Sequence, residues 1–380
     1  MLIITFSILF FVIYACLIIY YRQSWLAIPA FKPVPIDEGA PLTIISVIVP
    51  ARNEEENIEA CLNSIINQSY HKQLFEVIVV DDFSTDRTAE IVRSFSDKNV
   101  SFISLKDYEE EGKLNSYKKK AIEIGISKAK GDLIVTTDAD CIVPSTWLYT
   151  IACFYEKYKP AFIAAPVAYF GENDFLKIFQ SLDFMTLQGI TGAAVYKRFH
   201  HMCNGANLAY EKKAFYKVGG FTGIDNIASG DDMLLIHKFA EQFPDRICFL
   251  KSKDAIVQTK PAGAIKEFIN QRIRWASKAD KYSDKKITAV LALVYFFNVW
   301  IFFLAIESFF NYSNLKIFFL LLLLKTIVEL YFLFPVAKFF NKQKLLWWFP
   351  FAQPFHVLYT IVAGWLGKFG SYQWKERKVI

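Results

Sequence analysis

Met1 to Tyr21 is an uncharged apolar run, and it sets the first limit on what this chain can fold into. At 1.5 Å of rise per residue, about 20 such residues cross the hydrocarbon of a bilayer. Two stretches near the other end have the same character. Ile287 to Ile306 carries no charge, and Leu315 to Phe334 contains Lys325 and Glu329, four apart and so on one helix face, where they can pair inside the membrane. The chain has 380 residues, 54% of them hydrophobic, with 37 Phe. The excess sits at the two ends, and the middle has the composition of an ordinary globular domain.

A cleaved signal peptide would show early positive charge, a shorter apolar region and a small-residue cleavage site. Met1 to Tyr21 reads instead as an anchor. Its first flanking charge is Arg22, on the carboxyl side. The positive-inside rule then puts the amino terminus outside and the next domain in the cytoplasm. The expectation is a multi-pass protein of the plasma (inner) membrane with its catalytic domain cytoplasmic. Residues 22–42, with Pro29, Pro33, Pro35 and Pro41, read as a linker.

From Thr43 apolar strands and helices alternate. Strands are predicted over 43–49, 75–80, 100–105 and 132–137, and helices over 54–67, 88–95 and 118–130, with Ser84 to Asp86 capping the second helix and Gly131 ending the third. This alternation implies an α/β domain over 43–250 with a parallel sheet covered on both faces. Ligands bind off the carboxyl ends of such strands. Ala51 to Glu55, Asp81-Asp82 and Asp138-Ala139-Asp140 all fall at that rim. Beyond it, residues 162–169 read as a strand, and 174–199 as a long helix belonging either to the core or to a membrane surface. His200 and His201 read as polar surface or acceptor-side residues.

Residues 251–286 hold ten Lys or Arg against four acids, which accounts for the whole net charge of +6. A basic stretch placed before an apolar run suits lipid headgroups or a phosphorylated ligand, and no nucleic-acid motif accompanies it. Ile265 to Ala276 keeps a helical apolar period and reads as an interfacial helix. Residues 345–366 are apolar but contain Pro350 and Pro354 and have basic flanks, including Lys375, Arg377 and Lys378, which argues for a third membrane segment that is re-entrant or interfacial and not a clean crossing. The six cysteines are scattered, without metal-ligand spacing, as expected of reduced thiols.

Asp138 and Asp140 carry the clearest chemistry. Side chains alternate along an extended strand, so the two carboxylates point the same way. Paired carboxylates suit a hard divalent cation, Mg²⁺ or Mn²⁺. Such a cation can hold a diphosphate that bare aspartates would repel, each like-charge pair at about 4 Å costing roughly 4 kcal/mol at an effective dielectric of 20.

Five segments, in order over about 43–280, resemble glycosyltransferase family 2. Val47-Ile48-Val49-Pro50-Ala51-Arg52-Asn53-Glu54-Glu55 resembles its opening strand, and Val79-Val80-Asp81-Asp82-Phe83-Ser84-Thr85-Asp86 its second strand and turn. Asp138-Ala139-Asp140 is similar to its metal motif. Gly230-Asp231-Asp232 falls where the family places its catalytic base. Gln271-Arg272-Ile273-Arg274-Trp275 resembles the Gln-x-x-Arg-Trp signature of membrane-bound members.

The resemblance implies a GT-A-like, Rossmann-like nucleotide-diphospho-sugar transferase fold. It also implies inverting transfer from a UDP-sugar or similar donor to a lipid or glycan acceptor, as in cell-envelope glycan synthesis. By the same resemblance Ala51, Asn53, Glu54, Asp82, Asp138, Gln271, Arg274 and Trp275 surround the donor. Asp82 would accept from the base or ribose, and Asp140 with Asp138 would hold the metal. Arg274 would add a fixed bidentate charge and Trp275 a flat wall. Inversion needs one general base opposite the leaving group. The family usually writes Glu-Asp here and this chain Gly-Asp-Asp, so Asp231 stays open beside Asp232, the aligned acid. Lys119 or Lys120 would also reach the donor. A processive polysaccharide synthase, a nucleotidyltransferase and a non-catalytic membrane scaffold are the other readings.

Overall fold

The computed structural model describes residues 2–35, 39–110 and 114–370 in full, and the backbone of 372–374 and 377–379. Lys375 and the side chains of Arg377 and Lys378 lie outside the described residues. Helix α1 (Leu2–Ala27) opens the chain. Then come β1 (Ile45–Ala51), α2 (Ile58–Ile66), β2 (Phe75–Asp81), α3 (Thr88–Arg93), β3 (Val100–Ser104), α4 (Tyr117–Lys128), β4 (Leu133–Thr136) and α5 (Trp147–Tyr158). The second half contains β5 (Phe162–Ala164), β6 (Val167–Tyr169), α6 (Phe175–Tyr196), β7 (Leu208–Glu211), α7 (Lys212–Lys217), α8 (Met233–Gln242), β8 (Ile247–Phe249), β9 (Val257–Thr259) and α9 (Ile265–Ala276). Helices α10 (Lys285–Glu307), α11 (Tyr312–Phe339) and α12 (Phe349–Phe369) follow.

The main sheet runs β3-β2-β1-β4-β7-β5-β8. In β1, Ile45, Val47 and Val49 face one core and Ile48 the opposite one, the period of two that buries both faces. Parallel pairing carries β1 beside β2 from Ile45↔Phe75 to Ala51↔Asp81, and beside β4 from Ile45↔Leu133. The carboxyl ends of these strands therefore share one rim. The sheet is not wholly parallel. Strand β7 begins at that rim, with Leu208 opposite Thr136, and runs antiparallel to β4 and β5. The turn before it, Asn204 to Asn207, is thereby delivered to the same rim. The strand expected over 162–169 is two short ones, because Pro166 lacks the N–H needed to continue a ladder, and β6 pairs with β9 in a separate sheet.

Helix α6 is core. It packs between the sheet side, at β6 and β8, and the apolar helices α1 and α11. A Cβ on Gly192 would lie 2.8 Å from both Trp25 and Phe249, so this helix has no room on either side. Helices α1, α10 and α11 are long and apolar enough to cross a membrane. The first extends to Ala27, further than the apolar run, so the start of the expected linker is helical. Arg22 lies over the Tyr331 ring at 3.7 Å and Trp25 is buried. The last apolar segment is one helix: Pro350 sits in its first turn, where no N–H partner is needed, and Pro354 removes a single further bond. His200 is fully buried, not at the surface, with its Nε2 2.6 Å from the Tyr21 hydroxyl.

Candidate active site

At the rim, the β1–α2 and β2–α3 turns are laced together. Asn53 has φ +49° and its carboxamide accepts from the Thr85 N–H at 2.9 Å, while its own N–H donates to Ser84 Oγ. Asp86 accepts from Thr88 N–H and Oγ1, capping α3. Asp81 accepts from Ser84 N–H at 3.3 Å. Arg52, given no role from sequence, is buried and donates to the carbonyls of Asp82 and Phe83 at 2.8 and 3.2 Å, with its guanidinium 3.9 Å from the Asp82 carboxylate. These bonds orient Asp82 and Glu54 toward a cavity of about 900 Å³, which Ala51 and Arg52 also line. Asn53 is spent on the turn and is not among the lining residues.

Asp138 and Asp140 line the same cavity from the end of β4. Asp140 accepts from Thr259 Oγ1 at 3.2 Å, which ties the motif to β9. Asp138 accepts from Lys118 Nζ at 2.6 Å, and the same ammonium lies 3.2 Å from Asp231. Burial works against that ammonium's charge, yet Asp138 and Asp231 hold its pKa well above the ordinary lysine value. The reciprocal effect falls on Asp231. Burial would raise its pKa, but Lys118, Lys278 and Lys119 outweigh it and keep the carboxyl below its ordinary range.

Lys118 is thus the lysine at the site. The two considered from sequence are elsewhere. Lys119 is buried and donates to the carbonyls of Ile224, Ile227 and Ser229. Lys120 pairs with Glu109 and Glu123. The available signal was position: the first turn of α4 faces the rim.

Asp232 caps α8, accepting from Met233 N–H at 2.7 Å, and its other oxygen accepts from Gly205 N–H at 3.0 Å. The β7 turn therefore holds it from behind. Gly230, at φ +80°, lets the chain turn into the two acids, and the Lys278 stem packs on it: a Cβ there would lie 2.9 Å from Lys278 Cδ. From α9, Gln271, Arg274 and Trp275 line the cavity. Gln271 accepts from Arg272 at 2.7 Å, and Arg272 lies over the Trp275 ring at 4.2 Å. Lys278, unassigned from sequence, is 7% exposed and also lines the cavity. Burial pulls its ammonium below the ordinary lysine value, a shift that Asp232 only partly opposes.

The glycosyltransferase AglE of Haloferax volcanii is 40% identical over 107 residues, 28% of this chain and 34% of its own length. The probable glycosyltransferase YdaM of Bacillus subtilis is 27% identical over 248 residues, 64% of this chain and 57% of its own length. The chain thus spans between about a third and three fifths of these relatives. Among solved structures, the mannosyltransferase PcManGT of Pyrobaculum calidifontis, in complex with GDP-Man and Mn²⁺, superposes with a TM-score of 0.55 at 19% identity, covering 94% of this chain and 96% of that one. That likeness identifies the GT-A-like α/β fold. Residues 46–219 match glycosyl transferase family 2 and residues 133–366 match glycosyl transferase family group 2. With the second match alone spanning more than half its length, the chain belongs to glycosyltransferase family 2.

Proposed function

We propose that this protein transfers a sugar, with inversion, from a nucleotide-diphosphate donor to an acceptor at the cytoplasmic face of a membrane. The observation that carries the reading is one cavity lined at once by Asp82, Asp138, Asp140, Asp232 and Trp275, which reach it from four separate parts of the chain. Asp82, set by Arg52, accepts hydrogen bonds from the nucleoside. Lys118 and Arg274 bring positive charge to the diphosphate side, with Trp275 as a flat wall for a sugar. Gln271 accepts from Arg272, whose guanidinium lies over that ring.

The acids fit a divalent cation of the kind that shares its shell with substrate phosphates. Mg²⁺ is commonly bound through one or two carboxylates plus phosphate oxygens and water. Asp138 and Asp140 supply two, and among the described residues no larger metal-ligating cluster joins them. The Lys118 ammonium on Asp138 competes with a bound cation, whereas the Thr259 hydroxyl on Asp140 is a neutral donor, so Asp140 is the principal ligand. A bound Mg²⁺ or Mn²⁺ supplies Lewis-acid stabilisation of charge on the leaving diphosphate.

Asp232 is the general base. Its neighbour Asp231 is engaged by the Lys118 ammonium at 3.2 Å, which leaves Asp232 to take the acceptor's proton. The acceptor hydroxyl gives its proton to Asp232 as its oxygen bonds to the sugar's anomeric carbon. The bond from that carbon to the diphosphate oxygen breaks, and nucleoside diphosphate leaves with the electron pair. Membranes containing the protein, given a panel of nucleotide-sugars with Mg²⁺ or Mn²⁺, should release nucleoside diphosphate; pyrophosphate release would indicate a nucleotidyltransferase. Asp232→Asn should lower turnover by at least about a hundredfold while donor affinity changes little. Full activity in that variant would refute the assignment.

A further inference from the structure

Two buried charges stand away from the rim. Helix α11 is long and apolar enough to cross a membrane, yet Lys325 and Glu329 lie inside the bundle, 0% and 7% exposed. Neither lines the cavity. Taking such ions out of water is costly, and apolar side chains of similar volume would often pack as well. Ionisable groups at such positions are kept for what they do. Here they join helices: Glu329 accepts from Tyr14 of α1 and from Gln353 of α12, and Lys325 donates to Gln353 at 2.7 Å.

The contacts do not stop at Gln353. Three positions further along α12, His356 turns Nδ1 to the Lys325 ammonium at 3.5 Å and Nε2 to the Asp183 carboxylate at 4.0 Å. An ammonium only donates, so Nδ1 is the bare nitrogen and Nε2 carries the hydrogen that faces Asp183. Asp183 gives its other oxygen to Arg272 at 2.7 Å. Arg272 in turn lies over the Trp275 ring at 4.2 Å and donates to Gln271 at 2.7 Å. The Tyr359 ring, whose hydroxyl also donates to Asp183, stands edge-on to His356 at 5.3 Å. His356 therefore sits between two buried ion pairs, one in the helix bundle and one behind the cavity wall.

We propose that His356 is a positioning residue for the donor's sugar. Held by Lys325 on one side and Asp183 on the other, it fixes α12 against α6 and α9. It thereby fixes the face that Trp275 and Gln271 present to the cavity, although it touches no substrate atom itself. What the wall receives rests on the transferase reading; the joining of the two ion pairs does not. A phenylalanine at 356 would fill the same space and bury more apolar surface, so bulk alone gives no reason for an imidazole there.

The test uses the full chain in phosphatidylcholine nanodiscs with Mn²⁺, and calorimetry with UDP-glucose, UDP-N-acetylglucosamine and GDP-mannose beside UDP and GDP. His356→Phe should weaken the bound nucleotide-sugar about tenfold and the matching sugar-free nucleotide by less than about twofold, because the wall meets only the sugar. His356→Gln, which keeps a donor and an acceptor, should restore most of the difference. Lys325→Met with Glu329→Gln removes both charges of the distant pair together, and should give the same selective loss although neither residue lines the cavity. In an Asp183→Leu, Arg272→Met background, His356→Phe should change nothing further. Thermal midpoints of all variants, read alongside, separate these effects from loss of fold. Equal weakening of nucleotide and nucleotide-sugar, no weakening of either, or a full effect of His356→Phe in that background overturns the proposal and leaves the transferase reading standing. A wild-type protein that binds none of the nucleotide-sugars overturns both.

Discussion

Lys118 shows how a single side chain organises the rim. Its ammonium bridges Asp138 just after β4 and Asp231 before α8, two acids 93 positions apart in sequence. Lys118→Met should leave both carboxylates without their cation, lowering kcat/KM by about a hundredfold or more. Steady-state kinetics with the accepted donor would measure it, and an unchanged kcat/KM would show that the bridge is incidental. Lys119 acts at a distance from substrate. Its replacement by Met keeps the stem and removes the donor to three carbonyls, of Ile224, Ile227 and Ser229, that lead into Asp231 and Asp232. Each buried acceptor left unpaired costs about 1–3 kcal/mol. The thermal midpoint should fall accordingly, and turnover should fall with it, because the base is no longer held. Asp140→Asn should raise the Mn²⁺ concentration needed for half-maximal donor binding, measured by calorimetry, more than Asp138→Asn does.

At the scale of elements, helix α9 carries Arg274 and Trp275, and its orientation depends on Arg272 behind them. Arg272 is buried, pairing with Asp183 of α6 at 3.0 and 2.7 Å, and Asp183 also accepts from the Tyr359 hydroxyl of α12. Three helices therefore meet on one carboxylate. Asp183→Leu would leave a buried guanidinium without its partner, a loss of about 3–5 kcal/mol. The double variant Asp183→Leu, Arg272→Met should recover much of that stability, since apolar replacement of a buried pair is often neutral. Chemical denaturation of the four proteins in a mutant cycle would give the coupling; additive losses would mean that the pair does not orient the helix.

Over the whole molecule, the two ends of the chain are joined. Tyr14 of α1 donates to Glu329, which pairs with Lys325 at 2.8 Å, and Lys325 donates to Gln353 of α12 at 2.7 Å. Trp300 of α10 donates to Ser7 at 3.0 Å. Below this, His200 touches Tyr21 near the end of α1, and burial lowers its pKa from 6.5 to about 4. His201 and His237 are displaced in the same direction, burial again being the largest cause. A depressed histidine pKa means that the folded state resists protonation that the unfolded chain accepts. Stability should therefore be full above pH 6.5 and decline as pH falls toward 4. Unfolding midpoints measured across that window should drop with acid, and His200→Gln should flatten the curve.

The predicted alternation and the observed parallel β1, β2 and β4 agree because a strand buried on both faces needs a near-continuous apolar run, which Val47 to Val49 and Leu133 to Val135 display. The rim acids were legible for a related reason: their offsets from those runs are local. Antiparallel β7 was not, since nothing within Leu208–Glu211 tells which way a strand lies beside its neighbours. Nor was the choice among Lys118, Lys119 and Lys120, because three adjacent residues on a helix diverge by about 100° each, and only the positions of Asp138, the 224–229 carbonyls and Glu109 decide which faces what. Periodicity and hydrophobic length alone determined strands β1 to β4, the apolar helices and the acids that follow those strands. Tertiary packing decided the lysine bridge, the place of His356 between two ion pairs and the burial of His200, since each depends on groups that are distant in sequence and meet only when the sheet and the helix bundle close on α6.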